Sequence, residues 1–195
     1  MPIRTLLLLV LSSLLLAACG PSNTVRLVDP TPAQGAIPSP TAPTIAVVAF
    51  ADKRDDSSAV GERRDKSAFI SNDAATRWVS MALAEELRAL GYQVSYALSF
   101  DQAQHAVPDY LVRGSVLKVW LKEESATELN TDLKAKFSLA NKQKVVARET
   151  VSASQKHTGL PSGSAAEELL TSTVRDLAAT MAQKIKAVVG TKKPK

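Results

Sequence analysis

The chain has 195 residues, with 24 lysines and arginines against 19 aspartates and glutamates, a formal net charge of +5 at pH 7. Three of the positive charges, Lys192, Lys193 and Lys195, lie in the last four residues, so the rest of the chain is close to neutral. This distribution does not indicate a nucleic-acid-binding face, and aromatic residues, at 5% of the chain, are too scarce for stacking platforms. The length predicts one domain.

Residues 1–18 have the three-part pattern of a secretory signal: a positive start at Arg4, an apolar stretch and small residues at a cleavage site. The apolar stretch is shorter than the roughly 20 residues of a membrane-spanning helix. Leu-Ala-Ala-Cys closely resembles a bacterial lipobox and contains Cys19, the chain's single cysteine. The resemblance implies cleavage after Ala18 and a covalent lipid on Cys19. The alternative is an ordinary secretory signal with an incidental cysteine.

The residue after the lipobox bears on location. By resemblance to bacterial sorting rules, an aspartate at this position would favour the inner membrane, and the chain has Gly20 instead. We therefore expect an outer-membrane lipoprotein of a Gram-negative bacterium, with its domain in the periplasm. Several acyl chains give stable anchoring, since each buried CH₂ contributes about 0.8 kcal/mol. No cofactor is predicted apart from the lipid on Cys19.

Residues 19–43 are predicted to form a lipidated, proline-rich tether. Six of the ten prolines fall in this stretch, which favours extended structure and excludes a helix. At about 3.1 Å per residue it could hold the domain up to roughly 70 Å from the bilayer. An alternative is that residues 24–28 add an edge strand to the domain.

The first half of the domain is predicted to form a strand, a loop, a helix and a second strand, in this order. The apolar, β-branched run Thr44–Phe50 predicts a buried strand. Residues 51–71 are polar and charged and predict a long loop, a type of segment that is often functional. Apolar residues at helical spacing predict a helix over Asp73–Leu90, followed by Gly91 at a position suited to a left-handed turn. Tyr92–Leu98 predicts a second strand, parallel to the first.

The second half predicts three more strands. Asp109–Lys122 is rich in β-branched and apolar residues, and Gly114 within it indicates a bulge or a close approach. Residues 127–139 have the cleanest period-two pattern in the chain, with apolar residues or threonine at the odd positions and polar residues at the even ones, as in an antiparallel strand with one wet face. Lys144–Ser154 supplies its hairpin partner.

The last element is a predicted helix that begins with a capping box at Ser164 and Glu167 and ends at Gly190. A basic, disordered tail over 191–195 follows. The domain, residues 44–190, then has the order β-α-β-β-β-β-α. We predict an α+β two-layer sandwich in which two amphipathic helices pack on one face of a mixed sheet of four to five strands.

The order of these features resembles the YajG-like family of bacterial outer-membrane lipoproteins over about residues 40–190. That family is largely uncharacterised, and the resemblance implies no enzymatic activity. The motifs that carry it, besides the lipobox and tether, are Asp52-Lys53-Arg54 after the first strand, Gly61 in the loop, the Asp73–Leu90 helix, Gly91-Tyr92, Asp109 before the strand with Gly114, and the long final helix.

The sequence offers no convincing reaction centre, and we predict that the protein is not an enzyme. His105 and His157 are the two histidines, and both are predicted in loops or connections, without the three or four ligands of a zinc site. No G-x-S-x-G elbow and no glycine-rich phosphate loop is present.

Two binding hypotheses remain open. In the first, the domain binds or scaffolds another envelope protein or glycan through the wet face of the sheet and the 51–71 loop. In the second, it binds an anionic envelope ligand such as peptidoglycan or lipopolysaccharide through basic loop residues. The candidate contact residues are Asp52, Arg54, Arg63, Arg64 and Trp120. For Asp52 and Arg54 the alternative is that they brace the loop, and for Trp120 the alternative is a position in the core.

Overall fold

The structure is a computed structural model that describes residues 23–30, 37–142 and 144–190. The predicted signal peptide, the lipidated Cys19 and the predicted tail at 191–195 lie outside the described residues.

In the described residues, eight strands form one sheet and three helices pack on it, with the long strand β6 at the centre. In chain order the elements are β1 (Thr44–Val48), β2 (Ala51–Asp52), β3 (Gly61–Glu62), β4 (Ala68–Phe69), α1 (Ala75–Ala89), β5 (Gln93–Ala97), α2 (Phe100–His105), β6 (Tyr110–Ser125), β7 (Glu128–Asn141), β8 (Val145–Thr158) and α3 (Gly163–Gly190).

The sheet is mixed because β6 pairs differently along its two edges. One edge pairs antiparallel with β7, which pairs antiparallel with β8. The other edge receives β1, β2 and β3 one after another, all parallel to β6. Beyond these, β5 pairs parallel with β1, and β4 pairs antiparallel with β3. The predicted mixed α+β architecture and the parallel β1–α1–β5 unit are confirmed.

The predicted number of strands, four to five, is wrong. The difference arises in residues 51–71, which were expected to form a loop but contribute β2, β3 and β4. Each of these strands is two residues long, too short to show an alternating pattern. Gly61 allows β3 to lie close to β6, because a Cβ at this position would lie 2.0 Å from the backbone oxygen of Leu121.

The main core lies between one face of the sheet and helices α1 and α3. β7 contributes alternate residues from Leu129 to Leu139, all buried, as its period-two pattern predicts. Trp78 of α1 is 1% exposed, and Gly114 of β6 leaves room for the ring of Phe50. The predicted close approach at Gly114 is confirmed, and the register shift in β6 comes later, between Val116 and Lys118.

The opposite face of the sheet is covered at one end by α2, which packs on β1 and β5 around Ala46, Val48 and Ala103. No described helix packs on the remainder of this face, which belongs to β6, β7 and β8. We call this remainder the open face. It consists of the outward side chains of residues 113–122, 130–138 and 148–156.

Residues 23–30, predicted as part of the tether, pack on the domain. Val25 and Leu27 are 1% and 4% exposed and belong to the main core. The amide of Val25 donates to the carbonyl of Ile70 (2.9 Å), and the amide of Leu27 donates to the carboxylate of Asp73 (2.9 Å). The alternative of an added strand is reduced to a single parallel bridge between Thr24 and Ile70.

Polar contacts hold the same segment to both long helices. Arg26 forms a two-pronged ion pair with Glu167 of α3, with Nη2–Oε2 at 2.8 Å and Nε–Oε1 at 3.1 Å. The indole N–H of Trp78 in α1 donates to the carbonyl of Val28 (2.8 Å). The tether predicted over 19–43 is therefore corrected, because its residues 23–30 are bound to the domain.

The ion pair of Glu167 with Arg26 also explains why the predicted N-terminal cap of α3 is wrong. The helix is capped by Ser162, whose hydroxyl accepts a hydrogen bond from the amide of Ala165 (3.1 Å). The predicted capping box of Ser164 and Glu167 is absent, because the Glu167 carboxylate binds Arg26.

Candidate functional site

The structure brings Asp52 and Arg54 together, but their charged groups bind each other and the loop. The Arg54 guanidinium donates to both carboxylate oxygens of Asp52 and to the carbonyls of Ser57 (3.0 Å) and Ala59 (3.1 Å). The Arg54 side chain is 7% exposed. Its hydrogen bonds hold the pKa of the Asp52 carboxyl below its usual value. This geometry fits the bracing alternative, since few donors remain for a ligand.

Arg63 joins three parts of the domain. It donates to Glu123 of β6 (3.1 Å) and to the side-chain oxygen of Asn23 (3.0 Å), and its guanidinium lies 5.4 Å from the centre of the Phe69 ring. The side chains of Arg63 and Glu123 are 13% and 10% exposed, so the pair is largely withdrawn from solvent. Its neighbour Arg64 is exposed. Along β6, Asp52 pairs with Val116, whereas Arg63 binds Glu123, seven residues further on.

Trp120 lies on the open face, half-buried, opposite Asp132 of β7. The histidines are far apart in the chain and in different elements. His105 ends α2, whereas His157 lies on β8 and not in the loop where it was predicted. The described residues contain no group of three or more histidines, cysteines, aspartates or glutamates placed to hold a metal ion.

The open face carries more positive than negative charge. The strand register places seven basic side chains on it. Three of these are lysines that bind a carboxylate, either Asp132 on the face itself or Glu124 and Glu128 at its edge. Four cations then have no carboxylate partner among the described residues. They are Arg113, Lys134, Lys136 and Arg148.

Three of these cations surround one shallow cleft of about 370 Å³. Arg113 of β6, Ser138 of β7 and Arg148 of β8 are cross-strand neighbours in one row, so the two arginine backbones stand roughly 10 Å apart. Lys136 lies in the next row, and Ser115 opposite it completes the polar lining. The guanidinium of Arg113 also packs on α2, where its centre lies 4.6 Å from the Phe100 ring.

Chemically, this cleft offers two guanidinium groups, one ammonium and two hydroxyls to an anion. Arginine forks bind carboxylates and phosphates through paired hydrogen bonds, and lysine adds a point charge. The alternation in β7 predicted that Lys134 and Lys136 face solvent, but the sequence did not show that Arg113 and Arg148 flank them. That requires the register of three strands.

In the described part of the chain, no helix is both long enough and apolar enough to span a bilayer.

Comparisons with known proteins show the fold. No protein-family model and no curated protein matches the chain. Among solved structures it is similar to a DUF330 protein from Xanthomonas campestris, with 15% identity and a TM-score of 0.50 over 86% of this chain and 96% of that one. It is also similar to the hypothetical protein CT253 from Chlamydia trachomatis, with 9% identity and a TM-score of 0.53 over 78% and 100%.

A minor lipoprotein from Acinetobacter baumannii matches with 18% identity over 74% of this chain and 92% of that one, at a TM-score of 0.42. Its likeness is too low to carry an argument. At these identities the first two structures establish a shared fold and nothing about ligands or activity.

Proposed function

We propose that the protein is a non-enzymatic envelope lipoprotein, anchored in the outer membrane through Cys19, whose domain binds an anionic component of the cell envelope on the open face. Membership of the YajG-like family is part of this proposal and rests on the sequence motifs. The observation that carries the binding function is the cleft flanked by Arg113, Lys136 and Arg148. The ligand class is a phosphate- or carboxylate-bearing glycan or glycolipid.

Folding alone gives no reason for this charge arrangement. Lys118 and Lys134 stand directly opposite each other on β6 and β7, and like charges in that position destabilise a sheet. Only Lys118 has a carboxylate, Asp132, to offset the repulsion. An anion bound across the face would offset it for the remaining cations.

We place the anionic ligand on the open face of the sheet and not on the 51–71 loop, where the sequence hypothesis placed it. Arg54 and Arg63 are engaged in internal ion pairs, so their removal is expected to unfold the loop before it tests a ligand. The four open-face cations without a carboxylate partner are exposed, so they can be changed without breaking an ion pair of the described chain.

The test uses the unlipidated chain from residue 20, incubated with purified sacculi and with lipopolysaccharide. The double variant Lys136→Glu/Arg148→Glu removes two exposed charge contacts, each worth roughly 0.5–1 kcal/mol, so we expect binding to weaken about five- to thirtyfold. The control is Arg175→Glu/Lys186→Glu, a double charge reversal of equal size at exposed positions of α3. Binding of the wild type should also fall steeply with added salt. Equal binding by both variants would refute the proposed face.

A protein partner is the second candidate, and Trp120 favours it. Tryptophan is enriched at the energetic centres of protein interfaces, and this one is half-buried on the open face. In this case Trp120→Ala would abolish capture of the partner, and added salt would weaken it little.

A further inference from the structure

The N-terminal segment fixes one end of the domain near the lipid anchor. The backbone carbonyl of Asn23 accepts from the amide of Ile70 (2.9 Å), and its side chain accepts from Arg63 (3.0 Å). Arg63 itself binds Glu123, near the C-terminal end of β6. Residue 23 is therefore attached where β6 ends and α3 begins.

The length of chain before this attachment is short. Four residue steps separate Cys19 from Asn23, and an extended chain covers about 14 Å in four steps. The roughly 70 Å reach expected of a free tether over 19–43 is not available while residues 23–30 are docked. A lipid on Cys19 would then hold this end of the domain at the bilayer surface.

The side chains around the attachment suit such a surface. Ile70, bonded to Asn23, is 44% exposed, and Leu160 is 83% exposed. Leu160 precedes Pro161, which lines the same small cleft as Val25 and Arg63. Arg64 is exposed and forms no ion pair with the described residues. Exposed apolar side chains next to a basic side chain are typical of segments that lie at the surface of anionic bilayers.

We infer that this end, which we call the anchor end (Asn23, Arg64, Ile70 and Leu160), rests on the phospholipid surface that holds the Cys19 lipid. The inference rests on the lipidation in the proposed function but not on the anionic ligand. The domain then has a fixed orientation relative to the membrane and does not move freely on a flexible tether.

The orientation has a consequence for the open face. β7 runs from Leu129, paired with Glu123 near the anchor end, to Ala140, paired with Val145 at the far end. Eleven strand steps span about 37 Å. The cleft row at Ser138 lies close to the far end, so the cleft is displayed on the order of 30 Å from the anchor end.

The test uses the full-length, lipidated protein in vesicles of phosphatidylethanolamine and phosphatidylglycerol that carry a doxyl quencher near the headgroup. The lipid consumes the Cys19 thiol, so Leu160→Cys can be labelled alone with an environment-sensitive fluorophore. We expect a blue shift and strong quenching at position 160. The matched control, Val145→Cys, changes an exposed apolar residue at the far end and should give neither.

A second variant separates contact from mere tethering. A flexible insert of 12 glycine and serine residues after Gly20 adds a mean reach of roughly 20 Å without touching the described domain. If the short chain between Cys19 and Asn23 holds the anchor end against the bilayer, the insert should lower the quenching at position 160 to the level at position 145. Equal quenching at 160 and 145 in the parent protein would overturn the inference. Absence of the lipid by mass spectrometry would overturn the anchoring itself, whereas sacculus binding tests the open face separately.

Discussion

Removing the buried side chains of residues 23–30 should release this segment while the sheet stays folded. The variant is Val25→Ala/Leu27→Ala, which deletes five buried carbons. At about 0.8 kcal/mol per buried CH₂ this costs about 4 kcal/mol, before any cavity contribution. The matched control is Val28→Ala, one position along, whose side chain is 41% exposed.

The remaining contacts are too weak to hold the segment. Arg26 is 74% exposed in its ion pair with Glu167, so this pair contributes at most about 1 kcal/mol, and each hydrogen bond of the segment contributes about 1 kcal/mol. Ordering the backbone costs about 1–2 kcal/mol per residue, over eight residues. A loss of about 4 kcal/mol therefore tips the balance towards release.

Two readouts follow the release. Hydrogen exchange at the amides of residues 25 and 27, which are hydrogen-bonded in the docked state, should become fast in the double variant and stay slow in the control. In a Trp120→Phe background, emission of Trp78 should shift to the red, because its indole loses the carbonyl of Val28 and becomes exposed. Unchanged protection in the double variant, or fast exchange already in the parent, would refute the docking.

Two further changes test the fold. Gly61→Ala would place a Cβ against the backbone oxygen of Leu121, so we expect a loss of about 3 kcal/mol or more in urea unfolding, whereas Gly163→Ala, with nothing within 4 Å, should cause none. The Asp109 carboxylate accepts from the amide and hydroxyl of Thr44, and these bonds lower its pKa. This stabilisation is fully present above the ordinary aspartate pKa of about 3.9 and is lost as the pH falls from there through the lowered pKa of the folded state. The stability difference between wild type and Asp109→Asn should therefore begin to shrink between pH 7 and pH 3, and a constant difference would contradict this role.

Much of the fold follows from patterns that one element carries by itself. The period-two pattern in β7 predicts its buried face, and the apolar spacing around Trp78 predicts α1. The strands β2, β3 and β4 could not be predicted from sequence, because their formation depends on pairing within the sheet and not on a pattern in their own two residues. In the N-terminal segment, the prolines favoured a free tether, while the alternation of Val25 and Leu27 with polar residues was the signal for docking.

The candidate site was harder to predict for the same reason. Charges close together in sequence, such as Asp52 and Arg54, form an internal pair. The cations of the cleft are distant in sequence, and Arg113 and Arg148 become neighbours because Ser138 of β7 stands between them. The spacing of residues within a single strand gives no information about how three strands pair, so this cluster could not be predicted from sequence.

The open face is tested most directly by photocrosslinking in cells. A benzoylphenylalanine replaces Ser152 on the open face, and in a second strain it replaces Lys186 on α3. The proposed function predicts adducts with an anionic envelope component from position 152 and none from position 186. Adducts from position 186 alone, or none from position 152, would contradict it.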